Sequence, residues 1–342
     1  MTAAPRSVLI WLIAVAAMIF AMAVIGAITR LTESGLSIME WAPFTGWIPP
    51  FSDAEWQRLY ALYRTIPEAE TEHAGITLSE FKQIFWWEWL HRVWGRTIGL
   101  VFLLPFLWFL WRRRLPDWLK THGWILLGLG ALQGAVGWFM VASGFTERDD
   151  VSQYRLVLHL GMALGIYAYL LWLIFRLAWP RPPLPAGDRP LRGGTIHVLA
   201  LLIVALVSGG FVAGLNAGLT YNTYPLMDGE LVPEGYAMLS PWIANLFENV
   251  AAVQFNHRLL TALTALGVIY LWIRSRQSDC RRPFDLLLLV VALQFGLGIA
   301  TLLTAVPVWL GALHQAGAIL LLTQLLAALY LLGHGRQAPA RP

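Results

Sequence analysis

The chain has 342 residues, of which 58% are hydrophobic and only 13% charged, and its formal net charge is +4. A soluble domain carries about 25% charged residues, so the composition describes a polytopic membrane protein. The basic residues sit in short loops between apolar runs, which excludes nucleic acid as a partner. The only cysteine, Cys280, excludes disulfides within the chain, CxxC zinc sites and the covalent haem motif CxxCH.

Eight apolar runs are long enough to span a bilayer: 8–29, 86–111, 122–143, 156–178, 195–214, 251–273, 284–304 and 308–332. The first is too long for a signal-peptide core and is followed by Arg30, so it reads as a retained helix. An even number of spans puts both termini on one side. Arg112, Arg113, Arg114 and Lys120 follow the second span, Arg176, Arg181, Arg189 and Arg192 the fourth, and Arg274, Arg276, Arg281 and Arg282 the sixth. Arg6, Arg336 and Arg341 lie near the ends, so this side is expected to be cytoplasmic. Acids mark the other face: Glu68, Glu70 and Glu72, then Glu147, Asp149 and Asp150, then Asp228, Glu230 and Glu234.

The longest loop, 30–85, holds Pro43, Pro49 and Pro50 and then a segment, 53–66, with Trp56, Leu59, Tyr60 and Tyr63 on one helical face. The loop 179–194 contains Pro180, Pro182, Pro183, Pro185 and Pro190 and reads as a linker. It divides the chain into a first half, 1–180, and a second half, 191–342. The halves look like a repeat. Leu132-Gln133-Gly134-Ala135-Val136-Gly137 is echoed by Leu293-Gln294-Phe295-Gly296-Leu297-Gly298, His91-Arg92 by His257-Arg258, and His159 by His314. The expected fold is an all-α integral membrane protein of eight transmembrane helices in two pseudo-symmetric four-helix bundles, with both termini cytoplasmic.

Four of the eight histidines, His91, His159, His257 and His314, each fall in an even-numbered span, one to two turns inside its outer end. At 1.5 Å per residue this is roughly 5–10 Å below the boundary. Facing imidazoles across a bundle hold a b-type haem without covalent attachment. Gly95, Ala163, Thr261 and Ala318 follow the histidines by one turn and leave room for a macrocycle. Arg92, Arg155 and Arg258 are candidate contacts for haem propionates. Glu88 shares a helix face with His91 and Arg92; it either pairs with Arg92 or Arg96 or acts at a site of chemistry. Its counterpart before His257 is Gln254. Gln133 and Gln294 read as interhelical hydrogen-bond formers, and Trp86, Trp87 and Trp89 as an interfacial belt.

Several motifs in order resemble the haem A synthase family. They are Glu88-Trp89-x-His91-Arg92-x-x-Gly95-Arg96, Gln133-Gly134-x-x-Gly137-Trp138-x-Met140-Val141-x-Ser143-Gly144 and Val151-Ser152-x-Tyr154-Arg155-Leu156-x-x-His159-Leu160. In the second half they are Phe211-Val212-Ala213-Gly214-Leu215-x-Ala217-Gly218 with Tyr221-Asn222-Thr223, Gln254-Phe255-x-His257-Arg258 and Ala312-Leu313-His314-Gln315. The likeness runs from about residue 20 to 325. The tryptophan-rich second span and long first loop are similar to the proteobacterial and mitochondrial branch; the cysteine pair that some members carry in that loop is missing.

The resemblance implies a multi-pass enzyme of the bacterial inner membrane that oxidises the C8 methyl of haem O to a formyl group, giving haem A for terminal oxidases. It implies haem b as cofactor between His257 and His314, and haem O as substrate between His91 and His159, with the haem sites toward the outer face. Haem O synthase, a membrane or soluble electron-transfer partner and a second copy of the chain are the candidate partners. Methyl to formyl removes four electrons in two steps through a hydroxymethyl stage. Glu88 is expected to act there as proton acceptor or as an anion stabilising a developing cation. The competing readings are a di-haem cytochrome oxidising quinol, a haem carrier and a metal transporter.

Overall fold

The computed structural model describes residues 6–42, 45–145, 150–179 and 186–333. Pro43, Glu147, Arg148, Asp149, Pro180, Arg181, Pro182, Pro183, Pro185, His334, Arg336 and Arg341 lie outside them. The described residues form nine α-helices and no strand. Eight of the helices are long and apolar enough to cross a membrane. These are α1 (Arg6–Leu31), α3 (Leu78–Trp111), α4 (Asp117–Val141), α5 (Gln153–Ala178), α6 (Arg189–Gly214), α7 (Val250–Ser275), α8 (Arg282–Leu303) and α9 (Val308–Leu331); the ninth, α2 (Asp53–Tyr63), lies in the first long loop. The chain groups into two compact units, Met1–Ile166 and Tyr167–Pro342, and their boundary falls inside α5.

In the first unit α1 packs on α3. Pro105 interrupts the α3 hydrogen-bond ladder and removes the partner of the Val101 carbonyl. The Trp11 indole of α1 donates to that carbonyl at 2.9 Å, so the broken ladder is satisfied from a neighbouring helix. Trp94 returns the contact, donating to the Met18 carbonyl at 2.9 Å.

Most membrane helices start somewhat before the apolar runs, and two of them well before. α3 begins at Leu78 rather than at 86, held by a capping box in which Thr77 and Glu80 satisfy each other's backbone. Its extra turns lie outside the apolar run but bury Phe81, Ile84 and Phe85 against Trp56, Leu59 and Tyr63 of α2, with Leu36 and Val151. His91 therefore sits deep within α3 rather than one to two turns from its start. α6 begins at Arg189, with Pro190 in its first turn, so the expected linker 179–194 is helical at its end.

This small loop core contains a buried polar chain. The Tyr63 hydroxyl donates to Glu68 Oε2 at 3.1 Å and lies 2.6 Å from His73 Nδ1. Burial pushes the Glu68 carboxyl up to about 9. An ion pair between Arg30 and Asp150, 2.6 Å, ties the end of α1 to the segment before α5.

In the second unit the C-terminal part of α5 packs on α9, with Trp172 and Phe175 against the Tyr330 ring. The segment before α7 is organised by Asn245, whose Oδ1 accepts from the Leu239 N–H and whose Nδ2 donates to the Leu239 carbonyl. Asn249 caps α7 by accepting from the backbone N–H groups of Ala251 and Ala252.

Candidate functional site

Each unit brings two of the four histidines together. His91 on α3 and His159 on α5 are close enough to feel each other's charge, and so are His257 on α7 and His314 on α9. The rings are partly buried. Among the described residues no group of three His, Cys, Asp or Glu side chains could hold a metal ion, so these are sites of paired imidazoles. The other described histidines have local partners: His73 bonds to Tyr63, His122 packs against Trp118, and His197 lies 2.8 Å from the Gly193 carbonyl.

The members of each pair are held differently. His91 and His257 have Nδ1 buried with no hydrogen-bond partner; the Ala205 carbonyl lies beside the His257 ring without reaching full hydrogen-bond geometry. His159 and His314 are each met by a glutamine. Gln133 Nε2 lies 3.1 Å from His159 Nδ1 and donates to the His159 carbonyl at 3.0 Å. Gln294 Nε2 lies 3.0 Å from His314 Nδ1 and donates to the His314 carbonyl at 2.9 Å. The repeated glutamines are thus interhelical hydrogen-bond formers, and their target is the histidine itself.

Around these rings the protein offers bare backbone. A Cβ at Gly26 would lie 3.1 Å from His91 Cε1, at Gly137 2.9 Å from His159 Cε1, at Gly209 3.0 Å from His257 Cε1 and at Gly298 2.8 Å from His314 Cε1. The Nδ1 edge of each ring faces the neighbouring helix. That is the arrangement in which an imidazole offers Nε2 to iron, its Nδ1 proton being steered by a backbone or amide oxygen. For His159 and His314 this needs the glutamine amide to turn over and present Oε1, which is buried and unpartnered in both. Two neutral imidazoles in an otherwise apolar bundle fit a haem.

Above the histidines, toward the extramembrane end, lies a clamp in each unit. In the first, both Glu88 oxygens accept two hydrogen bonds. Oε2 takes the Ser37 hydroxyl at 2.7 Å and the Ile38 N–H at 2.6 Å; Oε1 takes Arg92 Nε at 2.9 Å and a second Arg92 nitrogen at 2.6 Å. Arg92 also donates to the carbonyls of Ile38 and Glu40. Glu88 is paired with Arg92; Arg96 donates to the carbonyls of Ala42 and Gly46. In the second unit Gln254 donates to the Ala217 and Thr220 carbonyls, and Arg258 to the carbonyls of Tyr221 and Thr223 and to Gln254 Oε1. Arg155 donates to the Phe139 carbonyl at 2.8 Å and lies over the Phe139 ring. All three candidate propionate arginines therefore have protein partners, although Arg258 Nε is buried with none.

Sequence reasoning missed two sets of residues. One is the four glycines at the rings. Gly137 and Gly298 each stand one turn after the repeated glutamines and so share their helix face, which was an available signal. The other is the strap 37–40, where, apart from the Ser37 hydroxyl, backbone N–H and carbonyl groups make the contacts and leave no mark on the side chains. Gly95, expected to leave room for a macrocycle, instead faces the Met22 methyl of α1.

The family model described as COX15-CtaA, cytochrome oxidase assembly protein, matches residues 9–326. The chain is 52% identical over 335 residues to the heme A synthase of Rhodospirillum centenum, covering 96% of this chain and 89% of that protein. It is 47% identical over 329 residues to the heme A synthase of Nitrosospira multiformis, covering 94% and 92%, and 49% identical over 333 residues to that of Granulibacter bethesdensis, covering 96% and 88%. The chain belongs to the COX15-CtaA family, among the heme A synthases.

Proposed function

We propose that this chain converts haem O to haem A in the bacterial inner membrane, with substrate and cofactor held in different halves. The first half, 1–180, takes haem O between His91 and His159; the second, 191–342, keeps haem b between His257 and His314. The observation that carries the division is the exchange of Glu88 for Gln254 at equivalent clamps above otherwise matching histidine pairs. A carboxylate belongs where charge develops; an amide suffices where electrons only pass.

The overall change is methyl plus water giving formyl, four protons and four electrons. His91 and His159 bind the substrate iron and so fix the position of the methyl group. Both Glu88 oxygens are fully hydrogen-bonded, so its role is that of a held negative charge rather than a base: it stabilises positive charge on the methyl carbon as electrons leave. Arg155 stands in the first turn of α5, while Arg258 and Arg92 lie further inside α7 and α3, next to His257 and His91; their remaining donors suit propionates. Bound haem b supplies one-electron redox chemistry. The arginine-rich loops support a reading with both termini in the cytoplasm and the haem sites toward the outer face. Haem O synthase as the source of substrate, an electron-transfer partner and a second copy of the chain are the partners this reading calls for.

The test is chromatography of haems extracted from cells that make haem O, with and without this chain. A formyl-haem peak that depends on the chain and disappears in Glu88→Gln is the expected result. Haem b spectra with no new pigment would instead assign an electron-transfer cytochrome.

A further inference from the structure

The four glycines that face the histidines are the least expected feature of the molecule. A glycine inside a helix destabilises it relative to alanine, so its presence at a packed position calls for a reason. Among the described glycines, those whose added Cβ would meet an imidazole are Gly26, Gly137, Gly209 and Gly298, one for each histidine of the two pairs. Each stands on the membrane helix preceding the one that carries its histidine: α1 before α3, α4 before α5, α6 before α7, α8 before α9. Other helix glycines have different neighbours: an added Cβ at Gly123 would meet the Phe106 ring, at Gly267 Val198 and at Gly317 the Gln294 amide. Gly134, Gly128 and Gly130 on α4 and Gly296 on α8 have nothing within 4 Å of an added Cβ.

Resting on the reading of these histidines as haem ligands, we infer that Gly26, Gly137, Gly209 and Gly298 are positioning residues that set the rotation and reach of the four imidazoles. An added Cβ would lie 2.8–3.1 Å from Cε1 in all four cases, closer than ordinary van der Waals contact. The ring cannot yield by bending, because it is rigid and its stem is fixed to a helix. It must swing about its side-chain torsions by roughly a few tenths of an ångström. Nε2, on the far side of the ring, moves with it. The glycine thus acts as a stop for the Nδ1 and Cε1 edge, and the direction of the Nε2 lone pair depends on it. In the second half two stops, Gly209 and Gly298, fix the angle between the two axial ring planes, a quantity that a structural role alone would leave unchanged.

The experiment uses the purified full chain with its bound haem b. The electron paramagnetic resonance of the ferric low-spin haem is recorded for Gly209→Ala and Gly298→Ala, with Gly296→Ala and His257→Ala beside them. Both facing-glycine variants are expected to shift the largest g value and to lose haem b faster on dilution. Gly296→Ala is expected to keep the wild-type spectrum, and His257→Ala to lose the signal. Wild-type spectra in Gly209→Ala and Gly298→Ala, with the signal lost in His257→Ala, would overturn the inference while leaving the ligand assignment intact. A wild-type spectrum in His257→Ala would overturn the assignment and the inference with it. If Gly209→Ala fails to accumulate, the double variant with His257→Ala decides. Accumulation equal to that of His257→Ala alone traces the defect to the ring; a further loss traces it to helix packing and overturns the inference.

Discussion

The clamps of the two halves perform one mechanical task with opposite chemistry. Arg92 grips the carbonyls of Ile38 and Glu40, and Arg258 those of Tyr221 and Thr223, with the same spacing between the gripped residues. One turn before each arginine stands Glu88 or Gln254. The glutamate accepts from its strap; the glutamine donates to its own. Removing a carboxylate from water carries a penalty of several kcal/mol, and Glu88 is only 3% exposed. Gln254 holds its strap without that penalty. The difference teaches that Glu88 is present for its charge, which is what the proposed division between a substrate half and a cofactor half rests on.

The largest expected effect separates the halves outright. His257→Ala and His314→Ala should remove bound haem b, measured as the pyridine haemochrome per mole of protein. His91→Ala and His159→Ala should retain haem b and abolish formyl-haem formation. Equal haem b loss in all four variants would erase the proposed division.

Exchanging the clamp residues sharpens the comparison. Glu88→Gln removes the charge paired with Arg92 but leaves an amide oxygen to accept from it, as Gln254 does from Arg258, so the cost should stay below that of a broken buried ion pair, about 3–5 kcal/mol. Formyl-haem formation should fall roughly 10²-fold while haem b is kept. Gln254→Glu turns a carboxylate toward the Ala217 and Thr220 carbonyls and should lower the haem b content and thermal stability of the protein. Ser37→Ala separates strap from charge. It removes one hydrogen bond to the charged Glu88, worth about 1.5–3 kcal/mol, and should leave most of the activity; loss equal to that of Glu88→Gln would make Glu88 a latch only.

The loop core around α2 adds a pH dependence to the first unit. Glu68 holds its proton up to about 9 when folded, against an ordinary 4.5, because it is buried. Between those values the folded loop binds more protons than the unfolded one, so stability falls as pH rises. His73 is shifted downward, chiefly by desolvation, so its contribution runs the other way and is lost as pH falls below the ordinary 6.5. Thermal unfolding across pH 5–9 should show declining stability on the alkaline side, abolished by Glu68→Gln. The smallest effect belongs to Arg58, whose pair with Glu40 is about half exposed on both sides; Arg58→Ala should change stability by less than about 1 kcal/mol.

Much of this was legible in the residues. Apolar run length finds the spans because the bilayer sets it, and the internal repeat pairs His91 with His257 and His159 with His314. Run length fails at the start of α3, where Ser79, Glu80, Lys82 and Gln83 interrupt the hydrophobicity. There the helix is held by a capping box and by Phe81, Ile84 and Phe85 against α2, contacts between segments well apart in the chain. Glu88 was legible as an acid on the His91 face, but its partners Ser37 and Ile38 were not, since a backbone N–H looks the same at every residue. The glycines were visible as letters, and only the packing of adjacent helices shows which of them meet an imidazole.

The most direct test of the central claim is the haem complement of purified His91→Ala protein from cells that make haem O. The account predicts haem b at the wild-type level and no haem A. Loss of haem b together with haem A, or formation of haem A despite the substitution, would contradict the assignment of substrate to the first half and cofactor to the second.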